Sequence, residues 1–178
     1  MMKPWKLLKE DQEYKNKYVD IRKRTYTLPN NKEADYFIRD GMGNVASIFA
    51  ITNNNEIILA REFRPGPGKV LDELPGGVID PNETPLQAAK RELFEETGYK
   101  GELTLLSKTW MSAYSTGKKY CYIAQNCKKH SEKQNMDHEN EFIEVILKSK
   151  TAFEKQLKNG ELTDMETALL AMQYLKAK

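Results

Sequence analysis

Three glutamates, Glu92, Glu95 and Glu96, stand within five residues of one another in the stretch 77–99, GVIDPNETPLQAAKRELFEETGY. If this stretch is helical from Pro85 onward, positions three and four apart are surface neighbours, and the three carboxylates gather on one face. Carboxylates held that close repel one another unless a cation lies among them, and a set of oxygen ligands suits Mg²⁺ or Mn²⁺. The helix carries its own start and stop. Thr84 reads as the N-cap, Pro85 suits the first position, Gln87 occupies the return position of a capping box, and Gly98 ends the run. At about 100° per residue, Leu86, Ala89 and Leu93 share a stripe expected to face the core. A solvated acidic helix, its glutamates paired with Lys90 and Arg91, would have the same composition but no need of a fixed register.

The register is fixed over a longer span. Five residues lie between Gly77 and Glu83, seven more between Glu83 and Arg91, and Glu92-Leu-Phe-Glu-Glu-Thr-Gly-Tyr99 follows without a break. This resembles, position by position, the box of the Nudix hydrolase family, G-x5-E-x7-R-E-U-x-E-E-x-G-U with U bulky and apolar; Tyr99 stands where an aliphatic residue is commoner.

The elements that must position the acids are legible on either side. Upstream, strands are expected over 17–28, 34–39, 44–52, 56–61 and 70–74, separated by Asn- and Pro-rich turns. Downstream, strands are expected over 103–110, 120–124 and 142–147, with 111–119 and the polar stretch 125–141 as loops. Helices over 151–158 and 164–176 close the chain, the last opened by a capping box of Thr163 and Glu166. Residues 1–15 read as polar, anchored by Trp5, Leu7 and Leu8. Strands around a central helix, followed by terminal helices, point to an α/β (α+β) fold with a mixed sheet. The resemblance narrows this to an α/β/α sandwich forming a single domain over 1–178, with the N-terminal strands of 1–40 as a dimer contact.

With 178 residues, 39% hydrophobic and 30% charged, the chain can bury a core of its own. A net charge of +2 gives no argument for a nucleic-acid partner, and none is expected. No apolar run is long enough to span a membrane, so no membrane partner is expected either. Cys121 and Cys127 are too few and too badly spaced for a disulfide framework or a zinc site. A cytoplasmic location is the expectation.

The resemblance extends to the ADP-ribose pyrophosphatase branch of the family, through Asp35-Tyr-Phe37, Arg61-Glu-Phe-Arg-Pro65, Glu73-Leu-Pro-Gly-Gly77 and Glu139-Asn-Glu-Phe-Ile-Glu-Val145. It implies a Mg²⁺-dependent hydrolase, with Mn²⁺ as the alternative ion, that cuts ADP-ribose or another nucleoside diphosphate sugar into a nucleoside monophosphate and a sugar phosphate. The implied metal ligands are Glu92, Glu95, Glu96 and the Gly76 carbonyl. Arg91 orients a carboxylate, and Glu83, ahead of the helix N-terminus where the dipole favours a negative charge, either caps the loop or joins the metal ligands. The general base comes from the loop before the last strand, Glu139 ahead of Glu141, with Asp137 and His138 as outsiders. Arg64 is the first phosphate contact, because a guanidinium suits bidentate phosphate recognition; a salt bridge to Glu62 or Glu73 is the competing role. Arg39, Glu73, Tyr114 and Ser115 complete the substrate side, and Tyr36 or Phe37 would stack on the base.

One departure widens the expected substrate. The branch has Ser-Pro-Gly followed shortly by an acid, whereas this chain has Ser112-Ala-Tyr-Ser-Thr-Gly-Lys118. A homodimer is implied throughout. Two other functions fit a Nudix-like chain: a house-cleaning nucleoside triphosphate hydrolase, and a non-catalytic nucleotide sensor.

Overall fold

A computed structural model describes residues 2–41, 43–130 and 142–177. The chain forms two compact units, Met1–Asn44 with Thr109–Lys119, and Val45–Lys108 with Tyr120–Lys178.

The first unit carries an antiparallel three-stranded sheet of β1 (Lys6–Lys15), β2 (Asp20–Thr27) and β3 (Glu33–Asp40), in that spatial order. Strand β1 lies where the sequence reading placed only a polar segment. Its residues are almost all exposed, so no alternation of apolar and polar residues announces it. It is held by its pairing with β2, by an ion pair between Glu10 and Arg24, and by Trp5, which packs on Tyr26 and Tyr36 with ring centroids 6.4 and 5.7 Å away. The turn between β2 and β3 falls at Pro29-Asn30-Asn31 as expected, with Asn31 at φ 62°.

The second unit carries a seven-stranded sheet. Its main path runs β10 (Glu144–Ser149), β5 (Glu56–Arg64), β4 (Val45–Thr52), β9 (Lys118–Lys129), β8 (Tyr99–Trp110); β6 (Lys69–Glu73) pairs with β5, and β7 (Gly76–Val78) with β4. The alternation along β4 and β5 explains the layering. Ala46, Ile48, Ala50 and Ile58 pack with Ala88, Ala89 and Leu93 of α1 (Pro85–Thr97). Phe49, Ile51, Ile57 and Leu59 pack with Phe153 and Leu157 of α2 (Lys150–Lys158) and Ala168, Ala171 and Met172 of α3 (Met165–Lys176). Side chains one apart on a strand point to opposite faces, so one apolar strand fills two cores. The result is the α/β/α arrangement expected. Cys121 and Cys127 are thiols buried in β9, which runs on through 125–129, where a loop was expected. No described helix is long and apolar enough to cross a membrane.

Two local expectations need correction. Leu86 shares a direction with Leu93 on the helix but lies in the first turn and stays 40% exposed; the buried face of α1 begins at Ala88. Thr163 does not cap α3, whose N-cap is Asp164 with no side-chain cap bond; the Thr163 hydroxyl donates to Glu73 instead, 2.5 Å away.

Candidate functional site

Helix α1 starts and stops as its sequence dictates. Thr84 accepts the Gln87 N–H at 3.3 Å, Gln87 accepts the Thr84 N–H at 2.9 Å, and Gly98 ends the helix at φ 74°, its N–H donating to Phe94 O at 2.8 Å. A left-handed residue at that position favours glycine. These ends fix the phase of the helix, and with Ala88, Ala89 and Leu93 buried, the glutamates come out beside Gly76 and Gly77 of β7.

That approach is close. The Gly76 N–H donates to Glu96 Oε2 at 3.1 Å. A Cβ on Gly76 would sit 2.3 Å from the Ala46 carbonyl, leaving no room for a side chain, and one on Gly77 would sit 2.3 Å from Glu92 Oε1 and push that carboxylate aside. Burial, reinforced by the neighbouring charge of Glu92, pushes the Glu96 carboxyl well above its ordinary range; the Gly76 N–H and the charge of Arg64 act the other way.

Arg91 ties the remaining acids together. Its Nε and Nη2 grip both oxygens of Glu83 at 2.9 Å in a fork, Nη1 reaches Glu92 at 2.8 Å and Glu95 at 3.2 Å, and Nη2 also donates to Val78 O at 3.1 Å. The fork is the strong geometry for a guanidinium and a carboxylate. It holds the Glu83 carboxyl below its usual range. Glu83 also accepts the Asp80 N–H at 3.4 Å, so it braces the turn that leads into the helix.

Arg64 ends β5 and is paired twice, through Nη2 with Glu62 at 2.6 Å and through Nε with Glu73. Glu73 is only 1% exposed, and its second oxygen accepts the Thr163 hydroxyl. The sequence offered no signal for that partner, since ninety residues separate the two.

The other expected substrate residues lie in the first unit, as a set of their own. The Arg39 N–H donates to Tyr114 O at 2.8 Å, the Thr116 N–H donates to Arg39 O at 3.1 Å, and Arg39 bridges Ser115. The Thr116 hydroxyl donates to Asp40 at 2.5 Å and lowers its carboxyl below the ordinary range. Phe37 is 54% exposed, whereas Tyr36 is taken up in the cluster with Trp5 and Tyr26. Glu139 and Glu141, with Asp137 and His138, lie outside the described residues.

Among the described residues no three His, Cys, Asp or Glu side chains form a ready-made metal cluster. A cation would have to draw Glu92 and Glu95 off Arg91. The residues nonetheless fit one. Their donors are hard oxygens, and Glu96, hemmed in beside Glu92, carries a charge whose burial is disfavoured without a positive partner. The glycines of β7 let backbone and carboxylate meet where a Cβ would collide.

Comparisons with known proteins place the chain among relatives along most of its length. A family model for the NUDIX domain matches residues 42–164. The chain is 31% identical over 175 residues to an ADP-ribose pyrophosphatase of Bacillus subtilis (strain 168), covering 97% of this chain and 93% of that protein. It is 29% identical over 177 residues to a methanol dehydrogenase activator of Bacillus methanolicus, covering 96% and 92%. A solved structure described as an ADP compounds hydrolase matches with a TM-score of 0.85 over 99% of this chain and 97% of that one; at 21% identity the likeness concerns the fold.

Proposed function

The chain belongs to the Nudix family, and from that premise we propose that it is a divalent-cation-dependent pyrophosphohydrolase of ADP-ribose or a related nucleoside diphosphate sugar. Its products would be a nucleoside monophosphate and a sugar phosphate. What supports the proposal is the set of α1 acids, Glu92, Glu95 and Glu96, with Glu96 bonded to Gly76 of β7, in a chain related along almost its whole length to an ADP-ribose pyrophosphatase.

A diphosphate is anionic and resists attack by water, so the reaction needs charge neutralisation and an aligned nucleophile. A bound Mg²⁺, or Mn²⁺, supplies neutralisation and Lewis acidity at the phosphoryl oxygens. Glu92 and Glu96 would hold it, with Glu95 and the Gly76 carbonyl. Arg91 keeps Glu83, Glu92 and Glu95 from separating under their mutual repulsion. Arg64 presents its guanidinium to a phosphate oxygen in place of Glu62. Glu139, ahead of Glu141, takes the proton from the attacking water. In the first unit, Arg39, Tyr114 and Ser115 contact the remainder of the substrate, and Phe37 or Tyr36 stacks on the base. A homodimer formed through the N-terminal strands and a cytoplasmic location complete the reading.

A hydrolysis panel tests it: ADP-ribose, other nucleotide sugars, dinucleoside polyphosphates and triphosphates, each with Mg²⁺ and with Mn²⁺. AMP plus ribose 5-phosphate from ADP-ribose is the expected outcome. Inorganic pyrophosphate released from a triphosphate would move the assignment to the house-cleaning reaction, and tight binding without turnover would make the protein a sensor. Glu139→Gln and Glu141→Gln, compared on the preferred substrate, identify the base by the larger loss of kcat.

A further inference from the structure

We infer that Thr163 is a positioning residue for diphosphate recognition: its hydroxyl locks the buried Glu73 carboxylate, and Glu73 in turn locks the guanidinium of Arg64. The inference rests on the reading of Arg64 as the phosphate contact.

Glu73 is 1% exposed, and each of its oxygens meets one partner, Thr163 Oγ1 on one side at 2.5 Å and Arg64 Nε on the other. A carboxylate held from both sides cannot rotate about its last bond without giving up a partner in a low-dielectric setting, where an unmade bond is costly. Arg64 itself is 38% exposed, so a buried anchor carries a head that reaches the surface. An arginine on four rotatable bonds loses much freedom when it grips an anion. Fixing Nε beforehand removes part of that loss, and the gain appears as affinity.

The second observation is what Thr163 does not do. With Glu166 three residues on, it has the spacing of a capping box, yet α3 starts at Asp164 without any side-chain cap. The same pattern three residues apart, Thr84 and Gln87, does close on α1. At α3 the hydroxyl is turned to a carboxylate ninety residues away in sequence, and the helix start goes without it.

The test is a kinetic cycle on the full chain. Thr163→Val keeps the shape and removes the hydroxyl; Thr163→Ser keeps the hydroxyl. Thr163→Val should raise KM for ADP-ribose about tenfold with kcat within about twofold, the signature of lost binding held equally in ground and transition states. Thr163→Ser should stay near the wild type. In an Arg64→Ala background, Thr163→Val should change KM no further. A KM unmoved by Thr163→Val, a loss of equal size with and without Arg64, or a lower melting temperature with unchanged KM would overturn the inference. Should Thr163→Val not fold, Thr163→Ala carries the same expectations. A wild type that hydrolyses no nucleoside diphosphate sugar would overturn the proposed function instead. The inference is then read calorimetrically with inorganic pyrophosphate as the probe: about tenfold weaker binding by Thr163→Val supports it, and equal affinities overturn it.

Discussion

The segment from β7 to the end of α1, 76–98, and the unit built from 1–44 with 109–119 are closed by contacts of very different reach. In the first, Thr84 meets Gln87 three residues on, Arg91 meets Glu83 eight residues back, and Glu96 meets Gly76 twenty back. In the second, Asp40 meets Thr116 seventy-six residues away, and Arg39 is bonded to the backbone of Tyr114. A set of charges that must stay within a few ångströms under repulsion is best carried on one helix, where spacing is fixed by the backbone itself. Contacts that shape a substrate's outer parts tolerate assembly from distant segments. The proposed reaction therefore divides: rate should depend on the first region and selectivity on the second.

The largest effect is expected at Glu96. In the proposed reaction it holds the cation, and removing one ligand of an ion worth several kcal/mol at the transition state should lower kcat on the order of 10³-fold. Steady-state kinetics of Glu96→Gln check this, and a fall confined to KM would erase the division between the regions. The same variant sharpens it through pH. The Glu96 carboxyl is raised by burial and by Glu92, so the folded protein favours its neutral form. The associated stability is present below the ordinary value of 4.5 and is lost as pH rises through the raised value. Glu96→Gln should accordingly melt higher than the wild type at pH 8 without metal, by a margin that narrows toward pH 4, and Mg²⁺ should raise the melting temperature of the wild type but not of the variant.

Arg91→Lys should come next. A lysine keeps one charge but cannot make the fork to Glu83 while also reaching Glu92 and Glu95, so kcat should fall about 10²-fold. Full activity in that variant would show that the acids hold their places without the guanidinium.

In the first unit the sign reverses. Asp40 is lowered chiefly by the Thr116 hydroxyl, against the effect of burial. Its stability is present above the ordinary value of 3.8 and is lost as pH falls through the lowered value. Thr116→Val should thus destabilise at neutral pH by about 1 kcal/mol, with the difference vanishing in acid. It should raise KM about threefold with kcat unchanged. A fall in kcat matching that of Arg91→Lys would contradict the separation.

The smallest effect belongs to Thr84→Ala. Losing an N-cap costs about 1 kcal/mol of stability, measurable by urea denaturation, while the glutamates keep their register and kcat stays put.

The difference in reach also explains what could be read before the fold was known. Gly77, Glu83, Arg91 and Glu96 were legible because their spacing along one turn and one helix is already their geometry. The two-sided core was legible in the apolar run of β4, whose neighbours had to be split between two faces. Strand β1 was not, since its exposed residues KLLKEDQEYK lack alternation and its partners are supplied by β2. Leu86 had the right direction on the helix but sits in its first turn, and only packing decides that. Thr163 carried a genuine local signal, and a buried carboxylate overrode it. Long-range demand for a hydrogen bond outweighs a cap whenever the alternative is an unsatisfied charge.

The most direct measurement is Mn²⁺ binding, followed by electron paramagnetic resonance, in the presence of a non-hydrolysable ADP-ribose analogue. Wild-type protein should bind the ion tightly, and Glu92→Gln with Glu96→Gln together should abolish the signal of bound Mn²⁺ while leaving the fold intact by circular dichroism. Equal Mn²⁺ binding by the folded double variant would contradict the central claim that the acids of α1 hold a divalent ion against a diphosphate.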